Sequence, residues 1–431
     1  MKNIFRDRDY IQDEKGDIYQ VIGSLHIEGG IMALQKYKKV KSNNQKVHKS
    51  MIPTDPIQEF KQHEMRYWKQ KETNNRFIRI LPNYSSQSAK NNIKNNEYLS
   101  HSSVFDTDLI IIPPKKVKIH WNPQKRLQNL IKIMKKGDFD QRKKLDTLER
   151  ETIEVAYLFN EKFDIGMENI GVSGSILWGA HHSHSDIDLM IYGNFNTEQI
   201  LNNAPINRSQ DAKLRNYMKV EILPIAEKMS IKTGLPMEEC FEYIYNKPYL
   251  FFYRDRKVSV TFAPSKSELV KIPLYTKKTR FHPLFPVKIE AKVEKDTWGF
   301  YYPGLFLIKG IDMLDSGTKD KNQSKNETEN QDRKKNEIKK VHNNPIGRDY
   351  QQNNNNEYLE KLEIQPKNIT RLLVFEHELV GYYRCGDKIE IRGLLQKAEN
   401  IPQSNSLDLK DTYQILVGGY ETFGKEYIRK I

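Results

Sequence analysis

Apolar residues in this chain recur at every second position in some stretches and at every third or fourth in others. The two rhythms predict strands and helices respectively. Ile18-Tyr19-Gln20-Val21-Ile22 follows a Lys15-Gly16-Asp17 turn, and Gly29-Gly30 precedes Ile31-Met32-Ala33-Leu34, so residues 9–40 read as β-structure. Phe77 to Leu81 and Leu109 to Ile112 predict short strands, with Val117 to His120 following Pro113-Pro114. Asn122-Pro123 then opens a helix, with an Asn cap and Pro at the first helical position. Leu127, Leu130, Ile131 and Met134 give it an apolar face, and Gly137-Asp138 ends it. A second helix carries Leu145, Leu148, Thr152, Val155 and Phe159 on one side, with Arg142, Lys143 and Lys144 on a solvated face.

Further along, Thr197 to Leu201 begins another helix, and a basic stretch from Arg208 to Lys219 leads into Val220-Glu221-Ile222-Leu223. A helix is expected around Met237 to Tyr243. Tyr249 to Tyr253 and Val258 to Phe262 form a hairpin about the turn Arg254-Asp255-Arg256-Lys257. From Phe285 the period of two returns, with Val287, Ile289, Ala291 and Val293 alternating with charged residues. Phe300-Tyr301-Tyr302, Leu305 to Ile308, Arg371 to Phe375, Gly386 to Gly393 and Tyr413 to Gly418 suggest more strands. This C-terminal part reads as a small antiparallel barrel, and GDKIEIRG has the rhythm of oligonucleotide-binding-fold strands. Residues 41–63 and 83–101 are polar tracts, and 315–356 is a Lys/Asn/Glu/Gln-rich insertion expected to be disordered. The expected class is therefore α+β. A β-rich N-terminal domain spans 1–120, a mixed-sheet core with a helical lead-in spans 121–270, and a β-rich C-terminal domain spans 280–431.

One stretch combines both rhythms with chemistry: GVSGSILWGAHHSHSDIDLMIYG, residues 171–193. Ile187, Leu189 and Ile191 share one face of a strand, which puts Asp186 and Asp188 together on the other, roughly 7 Å apart. Two carboxylates so placed repel each other, and a hard divalent cation between them relieves the repulsion; Mg²⁺ suits oxygen ligands, and Mn²⁺ can take its place. Gly174 lets the backbone approach a phosphate closely, and Ser175 supplies a hydroxyl at the start of a short helix. Together these features read as a site for a metal-bound polyphosphate. Gly23-Ser24 has no acidic pair after it and reads as a turn.

The chain has 431 residues and a formal charge of +14, with 37% of residues apolar. That length allows two or three domains, and the charge suits polyanionic partners where it is clustered. Cys240 and Cys385 are too few and too far apart for a disulfide framework or a Cys-metal knuckle, which suits a reducing cytoplasm. No apolar segment is long enough to cross a membrane. His182-Ser183-His184-Ser185-Asp186 matches the start of a zinc-hydrolase HxHxDH signature. Its final histidine is missing, however, because position 187 is Ile.

Gly174-Ser175, ten residues, then Asp186-Ile187-Asp188 resembles the signature of the DNA polymerase β-type nucleotidyltransferase superfamily. The wider chain, from Ile18–Tyr37 through Asn122-Pro123 to GDKIEIRG and the closing GKEYIRKI, resembles an archaeal-type group of predicted nucleotidyltransferases. The resemblance implies transfer of a nucleoside monophosphate from an NTP to a hydroxyl acceptor, with two Mg²⁺ ions on Asp186 and Asp188. Gly174 and Ser175 would then hold the β- and γ-phosphates. It also implies a third carboxylate on a later strand. The strand expected there, Val258 to Phe262, offers only Ser259 and Thr261, so Glu221, Glu290 or Asp255 is expected to substitute from another strand or turn. Glu290 is favoured because it lies on a clear alternating strand. Lys213, Arg215, Arg254 and Lys257 are candidates for the triphosphate charge. The missing third acid keeps open a rival reading, a protein that binds RNA or another nucleic acid on a degenerate core. Modification of a protein hydroxyl is a further option within the superfamily.

Overall fold

The computed structural model describes residues 4–27, 29–40, 67–80, 93, 96–204, 213–247, 249–314, 364–401, 412–419 and 426–431. The expected disordered insertion at 315–356 and most of the two polar tracts lie outside them. Helices and three sheets make an α+β chain. Among the described residues no helix is long and apolar enough to cross a membrane.

The N-terminal strands pair antiparallel, the first two across a short polar turn after Asp13. These are β1 (Tyr10–Asp13), β2 (Ile18–Val21), β3 (Ile31–Lys39), β4 (Tyr67–Lys69), β5 (Arg76–Arg79), β6 (Leu99–Ser102), β7 (Thr107–Ile112) and β8 (Val117–Trp121). They run in the order β4-β5-β3-β2-β1-β8, with β7 also on β3 and β6 on β7. β4 is therefore an edge strand.

The chain then enters α1 (Pro123–Lys136), α2 (Phe139–Lys143) and α3 (Thr147–Phe163). The Asn122 side chain accepts from the Lys125 N–H, and Asp146 and Glu149 cap α3 reciprocally. The central sheet is formed by β9 (Ile170–Val172), β10 (Ile187–Tyr192), β11 (Leu214–Asn216), β12 (Leu250–Tyr253) and β13 (Arg256–Ala263), in the order β11-β12-β13-β10-β9. Only β10 and β13 run parallel. One face of this sheet is apolar: Ile187, Leu189 and Ile191 of β10, with Val258, Val260 and Phe262 of β13, pack on Leu127, Leu130, Val155 and Phe159 of α1 and α3. Asp186, Asp188, Ser259 and Thr261 are left to the other face by the same alternation. Gly171 is needed for this packing, because a Cβ there would lie 2.8 Å from Pro123 and 2.9 Å from the Gln124 backbone.

Between the strands of this sheet lie α4 (Gly174–Leu177), α5 (Asn194–Asn203), α6 (Lys219–Thr233) and α7 (Met237–Tyr245). Glu221 thus sits in the first turn of a helix rather than on a strand or turn. Ile222, Ala226 and Met229 of α6, with Cys240 and Tyr243 of α7, bridge to the third sheet. That sheet contains β14 (Arg280–Trp298), β15 (Gly304–Leu314), β16 (Ile369–Val374), β17 (Lys388–Glu399), β18 (Thr412–Val417) and β19 (Tyr427–Lys430). The order is β14-β15-β16-β18-β17-β19, and β14 also pairs with β17, so five strands form a closed ring of pairings. β16 and β18 are parallel and the other pairs antiparallel. Phe300-Tyr301-Tyr302 forms the bend between β14 and β15 rather than a strand.

Candidate functional site

A cleft of about 1070 Å³ opens where the three sheets meet. Its floor is the polar face of β10 and β13. Asp188 lies in register with Ser259, whose hydroxyl donates to Asp188 Oδ1 at 2.6 Å. The other oxygen, Oδ2, lies against Gly174: a Cβ there would fall 2.0 Å from it. Gly174 also has φ +63°, a conformation that residues with a Cβ rarely adopt. Glycine is thus required twice, by its backbone angle and by the carboxylate pressed on it. The Ser173 N–H donates to the Asp188 carbonyl at 2.8 Å, which locks the start of α4 to β10. Ser175 lines the cleft beside Gly174.

Asp186 is exposed to solvent at the cleft mouth. Partial desolvation and the charge of Asp188 hold its carboxyl above its ordinary value, against Lys257 and Arg256. Two hard carboxylates that repel each other across one strand face form a donor set that a divalent cation fits, and the contact at Gly174 keeps Asp188 against the start of α4. Of the candidate cations, Lys257 is near enough to act on Asp186.

The remaining sequence candidates lie elsewhere. Arg215 is buried, donates to both carboxylate oxygens of Glu221 at 2.7 and 2.8 Å, and sits over the Phe252 ring. Glu221 also accepts from the Met218 N–H at 2.8 Å. Each of the two is thus committed to the other, and neither lines the cleft. Lys213 and Arg254 each reach Glu154 at 3.7 Å, so acidic residues of α3 take up their charge away from the cleft. Asp255 is an exposed residue of the β12–β13 turn. Glu290, the favoured third acid, belongs to β14 of the C-terminal ring, opposite Asp312 and Glu390, and is absent from the cleft lining. Its alternation is real, but it belongs to another sheet. The structure therefore brings together Gly174, Ser175, Asp186 and Asp188, and joins none of the proposed third acids to them.

Other cleft residues were not among the sequence candidates. Arg8 enters from the segment before β1 with a left-handed φ of 66°, and its carbonyl accepts from the Ser173 hydroxyl at 3.1 Å. Around it lies a buried charged cluster. Asp9 accepts from His120 at 2.6 Å and from the Arg6 N–H at 3.1 Å, and the Arg6 guanidinium lies 4.0 Å from the Tyr192 ring centroid. Asp7 accepts from the Gly23 N–H, and burial pushes its carboxyl up to about 6 despite Arg8 beside it. Lys228 of α6 and Lys247 after α7 also line the cleft. Burial pulls the Lys247 ammonium down to about 7, against the charges of Glu378 and Glu376, and its Nζ donates to the Glu378 carbonyl. A repeated Arg-Asp pair, Arg6-Asp7-Arg8-Asp9, was the one visible trace of this wall.

The histidines do not assemble a metal site with the aspartates. His182 and His184 are exposed cleft residues. Among the described residues, the one group of three with metal-ligand proximity is Asp146, Glu149 and His181. Lys71 Nζ already occupies its centre, 2.5 Å from Asp146 and 2.9 Å from Glu149, while His181 lies 2.7 Å from Asp146 and Arg126 2.8 Å from Glu149. Burial would raise the Asp146 carboxyl, but the hydrogen bonds from His181 and Lys71 outweigh it and hold it far below the usual carboxylate range. This is an ion-pair network closed by a lysine.

Comparison with known proteins finds no matching family model, no similar curated protein and no similar solved structure.

Proposed function

We propose that this chain is a metal-dependent nucleotidyltransferase, built on a core resembling the DNA polymerase β type, that moves NMP from an NTP to a hydroxyl acceptor. The carrying observation is the contact of Asp188 with Gly174: an acidic pair on one strand face, pressed against a left-handed glycine inside a cleft with cationic walls. Asp186 and Asp188 would hold Mg²⁺ or Mn²⁺, which when bound stabilises the attacking and leaving oxygens of an in-line displacement. Gly174 gives the phosphates close access to the backbone, and Ser175 offers a hydroxyl. Arg8 and Lys228 stand on the walls to offset charge on the departing group. In the reaction the acceptor oxygen bonds to the α-phosphorus as the bond to the bridging oxygen breaks. The hydroxyl proton is lost to solvent at the open mouth, and pyrophosphate leaves.

Asp188→Asn should abolish Mg²⁺-dependent incorporation of labelled NMP while circular dichroism and the melting temperature stay close to wild type. Retained incorporation would end this assignment.

Ser259 favours a second reading. It stands opposite Asp188, where the resemblance calls for a strand-borne carboxylate, so a core that binds without transferring is consistent with the same residues. The C-terminal ring, with its parallel β16–β18 pair, supports an oligonucleotide-binding-like barrel beside that core. Sustained NMP incorporation by wild type would exclude the second reading.

A further inference from the structure

The cleft has a wall that the acidic pair does not use. β3, β4 and β5 pair so that Tyr37 lies opposite Arg79 and Trp68 opposite Phe77. The register places Tyr37, Trp68, Phe77 and Arg79 on one face of this sheet. Phe77 is fully buried beneath and packs edge-on against Trp178. Tyr37, Trp68 and Arg79 line the cleft, Tyr37 as a buried ring that backs Trp68; Tyr67, opposite Ile78 and so on the other face of edge strand β4, also lines it and remains 37% exposed. The ring centroids of Trp68 and Tyr37 are 5.6 Å apart. Trp68 and His182, on the loop that leads to Asp186, are 6.4 Å apart. An aromatic platform with a guanidinium beside it is thus continuous with the carboxylate floor.

We infer that this wall, with Trp68 at its centre and Tyr67 and Arg79 flanking it, binds a single-stranded nucleic acid and delivers its terminal hydroxyl to the Asp186–Asp188 floor. Three observations select this occupant. Aromatic faces with an adjacent cation suit unstacked bases and a phosphate backbone, and they bind with little sequence preference because every base has a π-face. A duplex keeps its bases stacked and offers no such faces to a concave wall. The cleft, at about 1070 Å³, also exceeds the space a single nucleotide-sized ligand fills, which leaves room for donor and acceptor together. The chain's charge of +14 suits a polyanion of this kind. The delivery step rests on the transferase reading above; the binding wall does not.

The test is fluorescence-anisotropy titration of the full chain with a labelled single strand of about twelve nucleotides, its duplex counterpart, and Mg·ATP separately. Wild type should bind the single strand more tightly than the duplex, with affinity falling as salt rises. Trp68→Ala should weaken single-strand binding about tenfold or more, whereas Trp68→Phe, which keeps a ring, should stay within about threefold. Tyr67→Ala, at an exposed position where misfolding is not expected, should weaken it in the same direction. Mg·ATP affinity should be unchanged in all three. Failure of wild type to bind the single strand, or equal binding by wild type, Trp68→Ala and Tyr67→Ala, overturns the inference. Loss of Mg·ATP affinity with single-strand binding intact also overturns it, since the rings would then hold the donor base. If wild type transfers no nucleotide yet Trp68 still governs single-strand binding, the transferase reading falls and the wall stands.

Discussion

At Gly174 a single methyl group decides whether the floor of the cleft can form. Gly174→Ala forces a Cβ into Asp188 Oδ2 from a backbone angle that disfavours any Cβ. It should lower stability by about 1–2 kcal/mol in urea unfolding and remove metal-dependent ATP binding, read by titration calorimetry. A variant that binds Mg·ATP normally would show that the Gly174–Asp188 contact is not part of the site. Asp7, behind the same floor, carries a pH signature. Burial raises its carboxyl from the ordinary 3.8 to about 6 in the folded protein, so the folded state holds an extra proton between the two. Stability contributed by this group is therefore lost as pH rises from about 4 to 6 and is flat above. Asp7→Asn keeps an acceptor for the Gly23 N–H and removes that titration. Between pH 4 and 7 wild type should lose about 3 kcal/mol relative to the variant, two pKa units being worth roughly that much. Parallel urea curves for the two proteins across this range would contradict it. Asp186 and Asp188 were legible because strand alternation is local. Arg8 and Trp68 were not, because neither belongs to a motif and each is brought to the cleft by sheet packing, Arg8 across a separation of 165 residues.

At the scale of elements, α6 is where local pattern and fold part. Val220 to Leu223 shows no clear helical period, and Pro224 in the next position argues against a helix because it gives up one backbone hydrogen bond. Burial of Ile222, Ala226 and Met229 against the third sheet outweighs that loss. The helix start then turns Glu221 toward Arg215 and away from any catalytic role. Glu221→Ala strands a buried guanidinium and uncaps α6, and should cost about 3 kcal/mol in urea unfolding. The double variant Arg215→Met/Glu221→Leu should recover most of that, since removing both charges leaves no orphan. Loss of Mg·ATP binding in the double variant at wild-type stability would return Arg215 to the phosphate-binding role its sequence position suggested. Hairpin β12–β13 and helices α1 and α3 were readable in advance because their periods, caps and turn residues agree with their final packing.

For the whole molecule, the decisive facts are non-local. The neighbours of each strand could not be read from periodicity, which reports faces and not partners; hence Glu290, correctly placed on a strand of the C-terminal part, could not be seen to lie apart from Asp186 and Asp188. Beside the Arg8–Ser173 and Arg6–Tyr192 contacts, Trp178 joins the β3–β5 part of the N-terminal sheet to the core: it is 2% exposed, with ring centroids 4.9 Å from Tyr37, 5.1 Å from Phe77 and 6.5 Å from Trp121. Backbone bonds reinforce it: Lys71 N–H donates to the Gly179 carbonyl at 2.8 Å, and Gln70 Nε2 to the Trp178 carbonyl at 3.2 Å. Trp178 does not line the cleft, so its substitution acts only by loosening the wall from the floor. Trp178→Ala should cost about 3–5 kcal/mol, concentrated at this joint. Native-state hydrogen exchange should show amides of β3 and β5 losing protection well before those of β10, while in wild type all three resist exchange together. Single-strand affinity should fall with that loss even though Trp68, Tyr67 and Arg79 are intact, because a wall that swings free no longer presents its rings beside the carboxylates. Equal loss of protection in β3, β5 and β10 would instead mean that the N-terminal sheet and the core unfold as one unit, and that the cleft has no hinge at Trp178.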